Sequence, residues 1–291
     1  MFWMSDMKSI FEVSIFDRFG LEVSTGSDLH ACSNYFTDEN LGYISNILQR
    51  RSYRRFTDQE VSEELRTILV SCAQSASAKS DLQQYSIIDL RDQAKKDEMA
   101  KLCDIAWLSE SPVLLVFCGD IRRAQRLCDM RGLSYAQNTL DSFMNAAIDA
   151  ALAMQTMVLA AESLGLGCCC ISQVRKRLTE MANLLNLPNG VFPIAGFVAG
   201  WPNEERDISQ RLPSSIVLHQ DKYDDSNLSS EIDKYDRRRH EARPLRNQIN
   251  SSKYGTASFY GWSENVARRL AENSDLDNIK NFLNEKGFDL T

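Results

Sequence analysis

The chain has 291 residues, of which 43% are hydrophobic and 25% charged, with a formal net charge of −7. That is the balance of an ordinary folded protein, long enough to bury a large core in one domain or two. The acidic total gives a nucleic-acid partner no general electrostatic help. No run reaches the roughly 18 apolar residues of a membrane span: the best stretch, residues 146–161, is broken by Asp149, Gln155 and Thr156. The N-terminus does not read as a secretory leader. None of the eight cysteines or of His30, His219 and His240 stands in a metal-ligand spacing. A cytoplasmic chain with reduced thiols and no metal is expected.

Residues 1–36 mix short apolar pieces with polar breaks and read as a surface arm or a short strand. Helical pattern begins at Thr37, with Ile44, Ile47 and Leu48 on one face. Ser62 caps a second helix with Glu63 and Glu64 in its first turn and Leu65, Ile68, Leu69, Cys72, Ala73 and Ala76 on its apolar face. It runs into a small-residue loop at 75–80. Residues 85–90 read as a strand, and 112–118 as a fully buried one closed by Gly119 and Asp120. A long helix spans 139–164; it is apolar on much of its circumference, hence central and buried, and stops at Gly165. Residues 168–171 and 192–200 are further buried strands, with a helix at 178–185 between them. After Trp201-Pro202 the chain turns polar: a charged helix at 229–243, a loop at 247–258, and helices at 262–272 and 276–288. Helices and strands alternate loosely, which predicts helices on both faces of one sheet.

Three segments carry chemistry-bearing residues. Arg50, Arg51, Ser52, Tyr53, Arg54, Arg55 and Phe56 lie between two helices. They form either a solvated basic turn or a phosphate site, in which guanidinium groups grip phosphate oxygens two at a time and a hydroxyl adds a short bond. Residues 164–173 begin like a dinucleotide glycine motif, but Cys170 stands at its last glycine position and the stretch runs from helix into strand, the reverse of that fingerprint. They read as a helix stop and a buried strand whose adjacent cysteines point to opposite faces. Beyond Gly200-Trp201-Pro202 comes Arg211-Leu212-Pro213, where Arg211 is a solvated charge or a second phosphate ligand. Asp149, on the long helix, reads as a hydrogen-bonded core acid. Arg237, Arg238, Arg239, Arg243 and Arg246 form a solvated face or a second anion contact. Hydrolase and nucleotidase signatures are lacking.

In this order the segments resemble the FMN-dependent nitroreductase superfamily, in the branch of the major oxygen-insensitive NADPH nitroreductases and flavin reductase P. The basic segment is similar to the family's opening R-S-x-R-x-F, residues 149–167 to its long central helix and exit turn, and residues 192–202 to its p-x-x-G-x-x-x-G-W-P strand. Arg211-Leu212-Pro213 with His219 and Tyr223 is similar to the branch's R-L-P…H…Y. The resemblance covers about residues 42–291.

The resemblance implies an α+β fold with a central mixed or antiparallel sheet flanked by helices. It divides the chain into an N-terminal extension, 1–40, an FMN-binding core, 41–223, and a C-terminal helical extension, 224–291, that wraps the partner in a homodimer. It implies that Arg50, Arg51, Ser52, Tyr53 and Arg54 hold the FMN phosphate and ribityl chain, with Arg211 adding a phosphate contact. Ser80 and Gln83 lie along the flavin, and the backbone of Cys170, Ile171, Ser172 and Gln173 passes its reactive edge. No side chain is catalytic: NADPH or NADH passes a hydride to the flavin and leaves, and a nitroaromatic, quinone or free flavin takes its place. The basic run at 237–246 favours NADPH, through its extra phosphate.

The chain departs from the pattern at Ser172 and Gln173, where two glycines are usual. Ser209 replaces a lysine, Asp275 replaces a basic residue, and no glutamine is found near Ile105. These departures leave open a specialised member, such as a reductive dehalogenase or biosynthetic oxidase, and a flavin-binding protein without turnover.

Overall fold

The computed structural model describes residues 2–20, 37–272 and 279–289; His30, Cys32 and Asp275 lie outside them. In chain order the elements are α1 (Phe2–Phe19), α2 (Asp38–Gln49), α3 (Glu63–Gln74), β1 (Tyr85–Asp89), α4 (Gln93–Cys103), β2 (Val113–Asp120), α5 (Arg122–Met130), α6 (Leu140–Ser163), β3 (Gly167–Ile171), α7 (Leu178–Leu184), β4 (Val191–Gly200), α8 (Ser214–Val217), α9 (Leu228–Ala242), α10 (Ser251–Tyr254), α11 (Trp262–Leu270) and α12 (Ile279–Glu285). The fold is α+β. Among the described residues the sheet has the order β1-β2-β4-β3, with every neighbouring pair antiparallel. Contacts group the chain into two units, Met1–Arg50 with Ile208–Ser274 and Arg51–Asp207 with Asp275–Thr291.

The sheet belongs to the second unit. β2 is buried along its whole length, and its side chains alternate between two cores, as a pleated strand requires. Val113, Leu115 and Phe117 join Leu69, Ala73, Met157 and Phe197 beneath α3 and α6. Leu114, Val116 and Cys118 join Met99, Met181, Val198 and Phe282 beneath α4, α7 and α12. Helices therefore cover both faces. Each fully buried side chain of this size is worth about 1.5–3 kcal/mol.

Hydroxyl caps open the helices where the sequence places them. Ser62 accepts the Leu65 N–H at 3.3 Å, and Thr139 accepts the Ser142 N–H at 3.3 Å. In the first unit, Thr37 likewise accepts the Asn40 N–H at 3.2 Å.

Several expectations are corrected. Within the N-terminal stretch, residues 2–19 are a helix, α1, rather than a strand; residues 21–36 lie outside the described residues. α4 and α5 are helices that apolar periodicity does not announce, and the loop at 247–258 contains the short α10. β2 runs through Gly119 and Asp120 instead of closing before them. Ile47 and Ile68 are exposed, because the buried faces of their helices centre on Leu41 with Ser45 and on Leu69 with Ala73.

The long helix α6 is not buried all round. Ala146, Asp149, Ala150, Ala153, Met157, Val158 and Ala161 are buried. On another side, Leu140 (50%), Met144 (51%), Ile148 (50%) and Leu152 (42%) form an exposed stripe at four-residue spacing. By length and composition this helix is apolar enough to cross a membrane, contrary to the expectation drawn from its polar interruptions; here it packs against the sheet and α3.

In the first unit α1 packs on α2, with buried Ser14 bonded to Gln49 and buried Arg18 to the Leu48 carbonyl. α9 and α11 are joined by Asp236, which accepts the Ser263 N–H at 3.0 Å, and by an edge-to-face contact of Tyr235 with Trp262 at 5.3 Å.

Candidate functional site

The basic segment is built into the second unit's sheet. Ser52 bridges Cys168 in the parallel sense, and the Tyr53 N–H donates to the Cys168 carbonyl at 3.0 Å. Phe56 bridges Pro202, the Thr57 N–H reaches the Trp201 carbonyl at 2.8 Å, and the Asn203 N–H reaches the Arg55 carbonyl at 3.0 Å. The segment thus extends β3 at its edge, and the Gly-Trp-Pro turn anchors its far end. Gly167 makes this approach possible: a Cβ there would lie 2.7 Å from Cγ of the Tyr53 ring.

Polar contacts fix the same backbone. The Glu204 carboxylate accepts the Arg54 N–H at 2.6 Å and pairs with Arg206 at 3.6 Å. Arg51 Nη1 donates to the Arg206 carbonyl at 2.9 Å. The Arg54 side chain is exposed, and its guanidinium makes no hydrogen bond or ion pair among the described residues. The sequence did not single out Glu204 or Arg206; their only signal is a charged run after the tryptophan–proline turn.

β3 carries the segment toward its exit. Cys168 and Cys169 are buried in the two opposite cores, which bears out packing as their role. Cys170 is exposed, Ile171 is buried, Ser172 is exposed and Gln173 is half-buried. The last two open a 3-10 turn, Ser172–Arg175. Burial holds the Arg175 guanidinium below its ordinary pKa, and its Nη1 donates to the Ile194 carbonyl. Cys170 stands two positions beyond Cys168, about 7 Å along the strand. Ser52 and Tyr53 are therefore paired to β3 just before Cys170 and Ile171, which lead into the Ser172–Arg175 turn.

Ser80 and Gln83 occupy a strained loop. Ser80, Asp81 and Gln83 have φ of 50°, 58° and 51°, values uncommon for residues with a Cβ. The carboxylate of Asp149 holds this loop, accepting the Lys79 N–H at 2.9 Å and the Gln84 N–H at 3.0 Å. Asp149 is the hydrogen-bonded core acid expected. Gln83 spends its amide on Asp81 at 2.9 Å, while Arg123 Nη1 donates to the Gln83 carbonyl at 2.7 Å.

Arg50 and Arg211 lie in the first unit. Arg50 caps the end of α2, its N–H reaching the Ile47 carbonyl at 3.3 Å. Arg211 is exposed and, with Arg239, Tyr235 and Trp262, lines a cavity of about 670 Å³ within that unit. The Arg237–Arg246 run is divided in use: Arg238 packs over the Tyr235 ring at 5.5 Å, Arg239 faces the cavity, and Arg237, Arg243 and Arg246 are exposed. His219 and Tyr223 stack on each other at 4.5 Å.

The candidate residues are donors: guanidinium groups, a serine hydroxyl and strand-edge amides. Such a set suits a ligand with a phosphate at one end.

A model of the nitroreductase family matches residues 47–201, and one of the nitroreductase family C-terminal domain matches residues 209–291. The chain is 32% identical over 249 residues to the FMN reductase [NAD(P)H] of Bacillus subtilis, covering 84% of this chain and 97% of that one. It is 33% identical over 181 residues to the oxygen-insensitive NADPH nitroreductase of Salmonella typhimurium, covering 62% and 74%. The solved structure of NfrA2 from B. megaterium superposes with a TM-score of 0.77 at 31% identity, covering 86% of this chain and 99% of that one.

Proposed function

The chain belongs to the nitroreductase family and is an FMN-dependent NAD(P)H oxidoreductase; we propose that its arginine segment and the exit of β3 together form the flavin site. The observation that supports this reading is the pairing of Ser52 and Tyr53 with Cys168, which brings the backbone of the arginine segment against β3 shortly before residues 170–173. In it, Arg51 and Arg54 of the second unit compensate phosphate charge and the Ser52 hydroxyl adds a bond; in the first unit, Arg50 and Arg211 are the phosphate ligands. Tyr53 keeps its segment seated against Gly167. The loop bearing Ser80 and Gln83, held by Asp149, flanks the ring. Amides of Cys170 to Gln173 lie where negative charge develops, as fixed donors that need no reorganisation. When bound, the flavin supplies the hydride chemistry between NAD(P)H and a nitroaromatic, quinone or free flavin.

The functional form in this proposal is a homodimer. An exposed stripe of four large apolar residues on α6 is more than single scattered surface residues need, and a second copy of the chain would cover it. Residues 41–223 then serve as the flavin-binding core and 224–291 as its helical extension. The free thiols of Cys72, Cys103, Cys118 and Cys128 support a reducing, cytoplasmic setting. Arg239 and its neighbours on α9 favour NADPH over NADH.

Steady-state oxidation of NADPH and NADH by the purified protein, with nitrofurazone, menadione or FMN as acceptor, tests the proposal. Turnover that depends on an acceptor, and FMN retention weakened about tenfold or more in Arg54→Ala by loss of a charge-assisted contact, are expected. A fully flavinylated Arg54→Ala protein would remove that residue from the phosphate site.

A further inference from the structure

Arg18 stands near the end of α1, upstream of both family matches. Its side chain is buried. Its guanidinium donates to three main-chain carbonyls: Nε to Leu48 at 2.9 Å, Nη1 to Ser209 at 2.7 Å, and Nη2 to Arg50. Its own carbonyl accepts the Arg211 N–H at 2.9 Å. α1 is fastened beside it, where Gln49 Nε2 donates to the Ser14 hydroxyl at 2.8 Å. A single planar fork therefore ties the backbone at Arg50 to the backbone around Arg211, two stretches far apart in the sequence.

We propose that Arg18 is a positioning residue for the cofactor phosphate. It fixes the main chain on which Arg50 and Arg211 stand, so that both guanidinium groups form one preorganised anion site. The inference rests on the reading of Arg50 and Arg211 as phosphate ligands. The physical reason is the geometry of the fork. A guanidinium donates in fixed directions within one plane, so three carbonyls bound to it are held in register. The guanidinium itself is buried, so it also resists rearrangement, because its donors left without those carbonyls would be costly. Preorganisation of the ligands matters most for the group that carries charge, which here is the phosphate and not the flavin ring.

That distinction separates positioning from mere support of the fold. Riboflavin has the ring and ribityl chain of FMN but no phosphate. A helix that only stabilises the protein affects both ligands alike; a residue that aligns the phosphate arginines affects FMN alone. The test measures dissociation constants for FMN and riboflavin by flavin fluorescence, using the full chain freed of flavin, in wild type, Arg18→Met, Arg18→Lys and Arg211→Ala.

The Arg211→Ala protein is expected to lose most of its preference for FMN over riboflavin. Arg18→Met is expected to lose about tenfold or more in FMN affinity, the scale of one charge-assisted bond, with riboflavin affinity unchanged. Arg18→Lys keeps the charge without the fork, and is expected to lose preference in the same direction. Should Arg18→Met not fold, Arg18→Lys decides. An Arg18 variant that keeps the wild-type preference while Arg211→Ala loses it overturns the role of Arg18 and leaves the phosphate reading standing. Equal losses for FMN and riboflavin in the Arg18 variants also overturn it. An Arg211→Ala protein that keeps its preference overturns the phosphate reading, and this inference with it.

Discussion

The carboxylate of Asp149 accepts the N–H of Gln84 at 3.0 Å and, through its other oxygen, that of Lys79 at 2.9 Å. A buried acid on the central helix α6 thereby closes the ends of a loop that contains three non-glycine residues at positive φ. Strain of this kind persists only where the surroundings over-determine it.

Asp149→Ala removes both acceptors and leaves two N–H groups facing the interior. Unfolding free energy is expected to fall by about 2–4 kcal/mol, the cost of buried donors without partners. Asp149→Asn retains one acceptor and is expected to lose roughly half as much. Urea denaturation followed by circular dichroism checks both. Equal stability of the three proteins would mean that the loop holds itself.

Gly167→Ala tests the seating of the arginine segment. Its new Cβ would lie 2.7 Å from Cγ and 2.8 Å from Cβ of Tyr53, so Tyr53 and the adjoining Ser52 and Arg54 must move. Overpacking of this kind costs about 1–3 kcal/mol, and FMN affinity is expected to fall with stability. A variant that binds FMN as wild type would show that the segment can shift without harm to the site.

The exposed stripe on α6 predicts the oligomeric state. Ile148→Glu places a charge in the middle of an apolar face that a partner is expected to bury. Sedimentation analysis should show wild-type dimers and mutant monomers. An undisturbed dimer would put the interface elsewhere.

Two buried thiols predict an alkaline weakness. Burial pushes Cys103 and Cys118 up to about 12, with Asp104 and Asp120 adding to the shift. Between the ordinary thiol value, about 8.5, and 12 the folded state holds protons that the unfolded state has released, so stability falls as pH rises. Melting temperature is expected to drop above about pH 9, and less steeply in Cys103→Ala/Cys118→Ala. An equal slope in the double variant would assign the loss to other groups.

Much of the fold could be read from local signals. Ser62 and Thr139 mark their helices because a hydroxyl cap is a one-turn interaction, and β2 is legible because every residue on it is buried. α1 was not legible for a definite reason. Among its described side chains the buried positions Phe11, Ser14 and Arg18 have helical spacing, but two of the three are polar, so an apolar period does not show them. α5 is likewise polar, with Ile121 at its N-cap offering no side-chain bond. Within the candidate site, the serine and arginines stand out by type, whereas Arg18 and Glu204 act on backbone far away in sequence. Contacts of that kind exist only after folding. The apolar character of α6 was visible, but not that Leu140, Met144, Ile148 and Leu152 face outward, since composition does not say which side a sheet will cover.

The most direct test of the flavin reading is the visible absorption spectrum of the purified protein, taken without oxygen before and after NADPH and again after a quinone. Flavin bands that bleach with NADPH and return with the quinone are the expected result. A colourless protein that takes up no added FMN would contradict the account.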